Sequence, residues 1–259
     1  MAQSSPEGAR YPSLRGRNVF VTGGGSGIGA TIVASFAAQG AKVAFVDIAA
    51  EASDELARSL GAAGHPAPWR QKCDVRDVPA LQSAIAAAAG ALGDFHVLVN
   101  NVASDDRHTL ESITPAYYDE RIAINQRAAL FALQAVVPGM KRLGGGSIIN
   151  LGSISWQIKQ GDLPIYTIAK SAVNGLTRSM AGLLGPHRIR VNTVSPGWVM
   201  TERQIRLWLT PESERDLERN QALPGRLMPQ DIANMVLFLA SDDARMCTAH
   251  EYYVDGGWR

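Results

Sequence analysis

The stretch VTGGGSGIGA, residues 21–30, decides the fold because it sets a glycine-rich turn between a strand and a helix. The residues before it, NVFVT (18–22), are rich in β-branched types, and those after it, IGATIVASFAAQ (28–39), carry apolar side chains at helical spacing. Side chains in such a turn would keep a pyrophosphate away from backbone N–H groups and from the positive end of the helix. The stretch therefore predicts a strand–turn–helix unit that binds a dinucleotide.

Two glycine registers fit this turn. Gly25, Gly27 and Ala30 match G-x-G-x-x-A, whereas Gly23, Gly27 and Gly29 match G-x-x-x-G-x-G. Because the strand is predicted to end at Thr22, we prefer the second register. A flexible turn without a ligand is the alternative for a glycine pattern taken alone. The predicted cofactor contacts of the turn are Gly23, Ser26, Gly27, Ile28 and Gly29.

An acidic residue ends the second predicted strand, about 20 residues further on. Asp47 there can accept hydrogen bonds from ribose hydroxyls, and its charge repels a 2′-phosphate. The next residue is Ile48, which offers no positive charge to such a phosphate. The pair favours NAD as the cofactor, with NADP as the weaker alternative.

Apolar strand-like runs alternate with helical patterns along the whole chain. The runs cover 18–22, 41–47, 69–75, 96–101, 146–153, 189–197 and 250–257, and the helical patterns cover 28–39, 49–63, a segment near Pro79, 114–142, 164–184 and 229–240. This alternation predicts one doubly wound α/β domain, a parallel sheet with helices on both faces. We expect an N-terminal lead-in at 1–14, the domain at 15–259 and a substrate lid at 198–228.

Composition excludes several classes of function. The 259 residues carry a formal net charge of +1, which gives no broad footprint for nucleic acid or an anionic membrane. No apolar run approaches the roughly 18 residues of a membrane span, and the N-terminus shows no apolar core like that of a signal peptide. The two cysteines, Cys73 and Cys247, lie far apart, so we expect a reducing compartment, the cytoplasm.

A tyrosine and a lysine lie four positions apart in IYTIAKSA, residues 165–172. Tyr166 and Lys170 therefore share one face of a predicted helix. Ser153 ends the fifth predicted strand, and in open parallel sheets the ligand crevice lies beyond the carboxyl ends of the strands. The pattern Y-x-x-x-K is common by chance, so it gains meaning only from Ser153 and the glycine turn.

Taken together, TG-x-x-x-G-x-G, the N-N stretch after strand four, Ser–Tyr–x-x-x–Lys and P-G after strand six resemble the short-chain dehydrogenase/reductase family from about residue 15 to the C-terminus. The resemblance implies a seven-stranded Rossmann-type fold, a homotetramer, and a catalytic set of Asn125, Ser153, Tyr166 and Lys170. Tyr166 would take the proton of an alcohol as phenolate. A free phenol has a pKa of about 10, so phenolate near pH 7 needs the positive charge of Lys170 and an oxidised nicotinamide. Ser153 would hold the substrate oxygen, and Asn125 a water that links Lys170 to solvent.

The same resemblance assigns further cofactor contacts. Besides the turn, Asp47, Ile48, Tyr166 and Lys170, it implies adenine contacts at Asp74 and Val75, a ribose neighbour at Asn100, and nicotinamide contacts at Pro196, Gly197, Val199 and Thr201. The chain departs from the family's usual N-N-A-G after strand four, where it reads Asn100-Asn101-Val102-Ala103. Alanine at the last position puts the local backbone geometry in doubt.

The predicted substrate loops are polar, which suits a sugar better than a steroid or an acyl chain. The segments DDRH, GSISW, TERQ and the C-terminal tail are also similar to the family's aldose 1-dehydrogenases, which oxidise the anomeric hydroxyl of a pentose or hexose to a lactone. On this hypothesis Ser153 and Tyr166 face the anomeric hydroxyl. The candidates for the other hydroxyls are Asp105, Asp106, Trp156, Gln157 and Arg203.

Other chemistry is poorly supported. The five histidines form no H-x-x-x-H or C-x-x-C pairing, so no metal site is predicted, and no G-x-S-x-G elbow of a serine hydrolase is present. His108 is the one histidine in a predicted site loop, and we interpret it as a polar loop residue. Two alternatives stay open: an NADPH-dependent carbonyl or 3-oxoacyl reductase, and a dinucleotide-binding regulator without catalysis.

Overall fold

The computed structural model describes residues 8–259, which form a seven-stranded parallel sheet in the order β3-β2-β1-β4-β5-β6-β7. The strands are β1 Asn18–Thr22, β2 Lys42–Asp47, β3 Trp69–Lys72, β4 Val97–Asn100, β5 Gly146–Leu151, β6 Ile189–Pro196 and β7 Glu251–Val254. The helices are α1 Gly27–Ala38, α2 Ala50–Ala62, α3 Val78–Leu92, α4 Pro115–Ile122, α5 Ala128–Arg142, α6 Pro164–Leu184, α7 Glu202–Trp208, α8 Pro211–Asn220 and α9 Pro229–Ala240. The predicted α/β architecture is confirmed.

Helices cover both faces of the sheet because its central strands are apolar on both sides. In β1, Val19 and Val21 pack into one core with α1, α2 and α9, while Phe20 packs into the other with α3, α5 and α6. Successive side chains of a strand point to opposite faces, so one strand feeds both cores. The alternating pattern of the sequence becomes a three-layer domain.

The strand order reverses between β1 and β4, and this reversal positions the site. β1 pairs with β2 on one side and with β4 on the other, so the connections after β1 and β4 diverge to opposite faces of the sheet. A crevice opens beyond the carboxyl ends of strands at such a point. The glycine turn follows β1 and Asn101 follows β4, so both border that crevice.

The described part of the expected lead-in at 1–14 packs on the domain. Its first seven residues lie outside the described part of the chain. Beyond them, a 3-10 turn spans Pro12–Leu14, and Leu14 is only 1% exposed in the core beside α1. The Tyr11 N–H donates to Gln39 Oε1 at 2.8 Å, so this segment packs on the domain.

One helical region differs from the predicted one, and the segment after β6 contains two short helices. The helix predicted at 114–142 consists of α4, a π-helical turn at Ala123–Arg127, and α5. The predicted lid at 198–228 contains α7 and α8, and a β-bridge between Val199 and Leu227 closes its two ends. Within residues 8–259, no helix combines the length and the apolar character needed to cross a membrane.

Candidate active site

The turn after β1 is shaped by glycines that lie against backbone. Gly23 has a φ of +71°, a conformation that favours glycine, and its N–H donates to the Val46 carbonyl at 2.7 Å. A Cβ on Gly29 would lie 1.8 Å from the Gly23 carbonyl oxygen, so only glycine lets α1 begin this close to β1. These contacts agree with the register that starts at Gly23.

The first turn of α1 fits an anionic ligand. Its N-cap residue, Ser26, makes no side-chain capping hydrogen bond, and the first N–H groups of any helix have no partner inside it. Ser26, Ile28 and Gly29 line a large cleft, while Gly27 packs near Thr201. Backbone donors and the positive end of the helix therefore face the space where a pyrophosphate would bind.

Asp47 joins the glycine turn to the start of α2. Its carboxylate accepts hydrogen bonds from the Gly25 N–H at 2.8 Å and the Ala49 N–H at 2.9 Å. Ile48 beside it is 64% exposed, and both residues line the cleft. The carboxylate is thus held at the cleft edge with an apolar neighbour.

The cleft has a volume of about 1160 Å³ and runs from β2 to α7 and α8. This exceeds the roughly 300–1,000 Å³ of sites for drug-sized ligands, so it can hold a dinucleotide and a second small molecule. The structure brings most of the predicted site residues to its walls: Gly23, Ser26, Ile28, Gly29, Asp47, Ile48, Asp74, Val75, Asp105, Tyr166, Lys170, Pro196, Gly197, Val199, Thr201 and Arg203.

Tyr166 and Lys170 lie on the first two turns of α6, facing this cleft. The Lys170 ammonium lies 5.6 Å from the centroid of the Tyr166 ring and donates a 2.6 Å hydrogen bond to the Leu151 carbonyl, the last residue of β5. Ser153, two residues beyond β5, lies beside the Tyr166 phenol and acts to lower its pKa. Three members of the predicted catalytic set therefore meet at the carboxyl end of β5.

Burial controls the protonation of this group. It raises the pKa of Tyr166 to about 12, assisted by the negative charge of Asp105, while Ser153 and Arg107 act in the opposite direction. Burial also lowers the pKa of Lys170 to about 8, against the pull of Asp105. At pH 7 the chain alone therefore holds an ammonium beside a protonated phenol. Since Lys170 alone leaves the phenol protonated, the phenolate expected from the sequence needs further positive charge.

The buried Lys170 gives a first prediction. Its folded pKa lies below its unfolded value, so the folded state binds fewer protons between about pH 8 and pH 10.5 and gains stability as pH rises through that window. Below pH 8 the folded state bears the full cost of burying the charged Lys170 ammonium. We expect Lys170→Met to raise the free energy of unfolding at pH 7 by roughly 2 kcal/mol, because the lost bond to Leu151 offsets part of the gain.

Urea unfolding of the cofactor-free protein at pH 7 and pH 9.5 would test this. The difference in the free energy of unfolding between wild type and Lys170→Met should be smaller at pH 9.5 than at pH 7. Lys141→Met serves as the control, because Lys141 is exposed at the end of α5 and should show no such change. A variant that is less stable than wild type at pH 7 would contradict the argument.

Asn125 lies in the π-helical turn between α4 and α5, a feature often found at functional sites. Its carboxamide is bonded twice to Ser104, accepting from the N–H at 2.7 Å and donating to the carbonyl at 3.0 Å. Asn125 and Lys170 line a second cavity of about 10 Å³. A cavity of roughly 10–15 Å³ admits one water, so the predicted water link has room.

Several predicted residues do not line the cleft. Asn100 donates to Asn150 Oδ1 at 2.9 Å inside the domain, and Gln157 donates to the Tyr253 hydroxyl at 2.7 Å. Trp156 is 38% exposed outside the cleft walls, and Asp106 is held in ion pairs. Asp74 does line the cleft, but its carboxylate is already bonded to Arg76.

The polar candidates for sugar binding contact one another. Arg203 on α7 pairs with Asp105 and Asp106, and Gln204 donates to Asp105 at 2.6 Å. Arg121 on α4 bonds Asp106 at 2.9 Å. The loop at 104–108 is therefore joined to α7, and Asp105 is held where its charge acts on Tyr166 and Lys170.

Sequence reasoning missed part of the wall near Tyr166. Arg107, Gln160, Trp198 and Gln204 line the cleft beside Trp208, which the sequence offers as an aromatic face for a sugar, and the Arg107 guanidinium lies 4.8 Å from the Trp208 ring centroid. The tryptophans lie in segments that follow β6, and only their aromatic character marked them in the sequence. Polar groups and aromatic faces thus surround the catalytic end.

Comparison with known proteins gives consistent matches. A family model described as enoyl-(acyl carrier protein) reductase matches residues 23–259. The chain is 51% identical over 251 residues to D-xylose 1-dehydrogenase of Caulobacter vibrioides, covering 97% of this chain and 99% of that protein. It is 48% identical over 249 residues to the probable galactose dehydrogenase GalD of Rhizobium meliloti, covering 96% and 97%.

Solved structures agree over the same length. A 7α-hydroxysteroid dehydrogenase in complex with NADH and 7-oxo glycochenodeoxycholic acid superimposes with a TM-score of 0.90 at 30% identity, covering 95% of this chain and 96% of that one. A short-chain type dehydrogenase/reductase from Mycobacterium ulcerans gives a TM-score of 0.90 at 28% identity, covering 95% and 90%. Because the relatives match along nearly the whole length, glycine turn and Ser–Tyr–Lys group included, the chain belongs to the short-chain dehydrogenase/reductase family.

Proposed function

We propose that this protein is an NAD-dependent aldose 1-dehydrogenase, which oxidises the anomeric hydroxyl of a pentose or hexose pyranose to the aldonolactone. The observation that carries the proposal is the Tyr166–Lys170 pair in one cleft with the glycine turn, with Ser153 beside Tyr166, in a chain 51% identical to a D-xylose 1-dehydrogenase. The relatives support an oxidoreductase that acts on a CH–OH group with a nicotinamide cofactor. L-Arabinose, D-xylose, D-galactose and L-fucose are the candidate sugars.

Oxidation of an anomeric C–OH removes a hydride from carbon and a proton from oxygen. When bound, an oxidised nicotinamide accepts the hydride and adds positive charge to the cleft. Tyr166 receives the proton at Oη, and Ser153, beside that phenol, holds the same substrate oxygen. Lys170 keeps a positive charge 5.6 Å from the ring centroid, which favours the phenolate over the phenol.

The walls near Tyr166 suit a sugar. Trp198 and Trp208 provide aromatic faces, while Gln160 and Asp162 provide hydrogen-bonding groups in the same cleft. A cleft for a steroid or an acyl chain needs a mostly apolar wall at this end. The polar ends of these side chains therefore favour a polyhydroxylated substrate.

Steady-state rates with a panel of aldoses, each with NAD and NADP, test the proposal. We expect turnover of at least one pentose or hexose, with the lactone as product. Absence of turnover on every sugar would end it. Reduction of a 3-oxoacyl or carbonyl compound with NADPH would then favour the reductase alternative, and NAD binding without any turnover would favour the regulator.

Asp47 gives a second prediction, for cofactor preference. Replacing it with alanine removes the charge that repels a 2′-phosphate, so we expect the ratio of kcat/KM for NADP over NAD to rise by about 10–100-fold, about 1.4 kcal/mol per tenfold. The kcat/KM for NAD itself should also fall, because Asp47 accepts hydrogen bonds from the Gly25 and Ala49 N–H groups.

Asp54→Ala is the matched control for this ratio. Asp54 is an exposed carboxylate on α2 that pairs with Arg70 and does not line the cleft. Its loss changes the net charge equally, so the ratio should stay near the wild-type value. If both variants change the ratio alike, or Asp47→Ala leaves it unchanged, Asp47 does not select the cofactor.

Assembly and location complete the proposal. The family resemblance supports a homotetramer. The two separated cysteines support a cytoplasmic location, and the net charge of +1 argues against nucleic-acid or membrane partners. Light scattering of the purified protein would measure the mass of the assembly against the 27.7 kDa of one chain. A monomeric mass would overturn the tetramer and leave the proposed chemistry intact.

A further inference from the structure

The helix that carries Tyr166 and Lys170 lacks a cap of its own. Its N-cap residue is Leu163, which has no polar side chain, and Pro164 at the first position has no N–H. The next N–H, that of Ile165, belongs to a residue only 1% exposed, so water cannot easily satisfy it. This amide is adjacent to Tyr166 in the chain.

The missing cap comes from a distant loop. The Ile165 N–H donates to Nε2 of His108 at 3.2 Å, across 57 residues of sequence. The His108 backbone N–H in turn donates to the Asp162 carbonyl at 2.8 Å, just before α6. The loop after β4 is therefore joined to the start of the catalytic helix by two hydrogen bonds on one residue.

The contacts of His108 fix one tautomer. Its Nδ1 lies 2.9 Å from the Asp106 carbonyl oxygen, and a carbonyl oxygen only accepts, so Nδ1 carries the hydrogen. Nε2 must then be the unprotonated nitrogen, which is what the Ile165 N–H requires. The ring also packs edge-on against Tyr117 at 5.2 Å, with the phenol oxygen 3.3 Å from Nδ1. This neutral tautomer satisfies both the Asp106 carbonyl and the Ile165 N–H.

We propose that His108 is a positioning residue: as a neutral imidazole it caps α6 and holds Tyr166 in place, and its protonation releases the helix start. The proposal rests on the proposed dehydrogenase function, because it concerns the placement of that reaction's base. Protonated His108 would carry a hydrogen on Nε2, directly opposite the Ile165 N–H. Two donors would then face each other at the positive end of a helix, an arrangement that is unfavourable both as a hydrogen bond and as a charge.

Charged groups around the imidazole come from three segments. On its own loop, Asp106 is paired with Arg203 and Arg121, and Arg107 is paired with Asp105 and Asp162. On α4, Arg121 lies 5.0 Å from the Tyr117 ring, and the Tyr117 phenol faces Nδ1. From the segment before α6, Asp162 supplies its carboxylate to Arg107. Each carboxylate near His108 is thus shared with at least one arginine.

A pair of variants separates capping from simple packing. His108→Gln supplies an amide oxygen that accepts the Ile165 N–H and does not titrate, whereas His108→Ala supplies no acceptor. Acid adds a proton to an imidazole and none to a glutamine amide, so the two proteins should diverge on the acid side. We expect the ratio of kcat/KM for His108→Gln over wild type to be near one at pH 9 and to rise at least about fivefold by pH 5.5. Forming this ratio cancels the titrations that the two proteins share.

His187→Gln is the matched control, because His187 is exposed in the short turn after the opposite end of α6. The ratio of kcat/KM for His187→Gln over wild type should not change with pH. His108→Ala should lower kcat at every pH, with a smaller effect on the KM for the cofactor, and His108→Gln should restore kcat at pH 9. A flat ratio for His108→Gln, or no restoration, would overturn the proposal.

Amide exchange gives a readout that does not depend on turnover. At pH 7.5 the Ile165 amide should exchange faster in His108→Ala than in wild type or His108→Gln, and ¹⁵N spectra should show His108 protonated on Nδ1 only. If no aldose is oxidised but these signals appear, the proposed function fails and the cap stands. If exchange is equal in all three proteins, or the other tautomer is found, the cap fails whatever the substrate.

Discussion

Replacing Tyr166 with phenylalanine should lower kcat for sugar oxidation by about 10³-fold, within the roughly 10²–10⁴-fold attributed to general acid–base catalysis. Phenylalanine keeps the ring in its place on α6 and removes only the atom that receives the substrate proton. The Ser153 hydroxyl would keep its contact with the Ser155 N–H at 3.1 Å. The affinity for the cofactor should therefore stay within about twofold of wild type.

The variant should also retain its fold, because it deletes one oxygen from a buried site. Tyr118→Phe on α4 is the matched control: its ring is 40% exposed, it lies outside the cleft, and its kcat should be unchanged. Rates and cofactor titrations of both variants would be measured together. Wild-type turnover by Tyr166→Phe, with the sugar and cofactor still bound, would show that another group takes the proton.

The sequence predicted the fold well wherever local chemistry determines it. The run of β-branched residues at 18–22 and the glycines after it were sufficient to end β1 at Thr22 and start α1. Pro164 and the apolar spacing after it gave the bounds of α6 without error. Strands buried on both faces read as continuous apolar runs, so their order along the chain was visible, whereas their order in the sheet comes from the structure.

The sequence could not predict contacts between polar side chains that are distant along the chain. Nothing near Asp105 shows that Arg203, 98 positions later, will pair with it. Likewise, the sequence does not show that the Gln157 amide will donate hydrogen bonds to Tyr253 and Glu251; only the fold brings these residues together. The placement of Asn125 depends on a π-helical turn, and the register of a helix over one turn has no clear signal in residue types.

The role of His108 was hidden for the same reason. His108 is a single residue in a polar loop. No sequence pattern around it indicates a contact with a distant helix. The signal that could have been used lies elsewhere, in Leu163 and Pro164, which start a helix without any capping side chain. A helix that starts this way inside a domain requires an acceptor from outside its own segment.

Replacing Gly29 with alanine should weaken dinucleotide binding by at least about 100-fold and lower the free energy of unfolding by about 2–4 kcal/mol, in the range of overpacked sites. The added Cβ would lie 1.8 Å from the Gly23 carbonyl oxygen and 2.7 Å from the Asn101 amide nitrogen. Neither atom can move away without cost. The Gly23 oxygen belongs to the backbone, and the Asn101 amide donates a hydrogen bond to it at 2.8 Å. The start of α1 must therefore move away from β1, and its N–H groups move with it.

A helical glycine with open space around it gives the matched control. A Cβ added to Gly61 on α2 would meet no atom within 4 Å, so Gly61→Ala should leave cofactor affinity unchanged and raise stability by about 0.5–1 kcal/mol. Fluorescence titration with NAD and urea unfolding would measure both effects. The same substitution should lower the free energy of unfolding at Gly29 and raise it at Gly61. This contrast separates the effect of the contact with Gly23 from the effect of helix propensity. If Gly29→Ala bound the cofactor as wild type does, the close approach of α1 to β1 would not be what aligns the pyrophosphate donors.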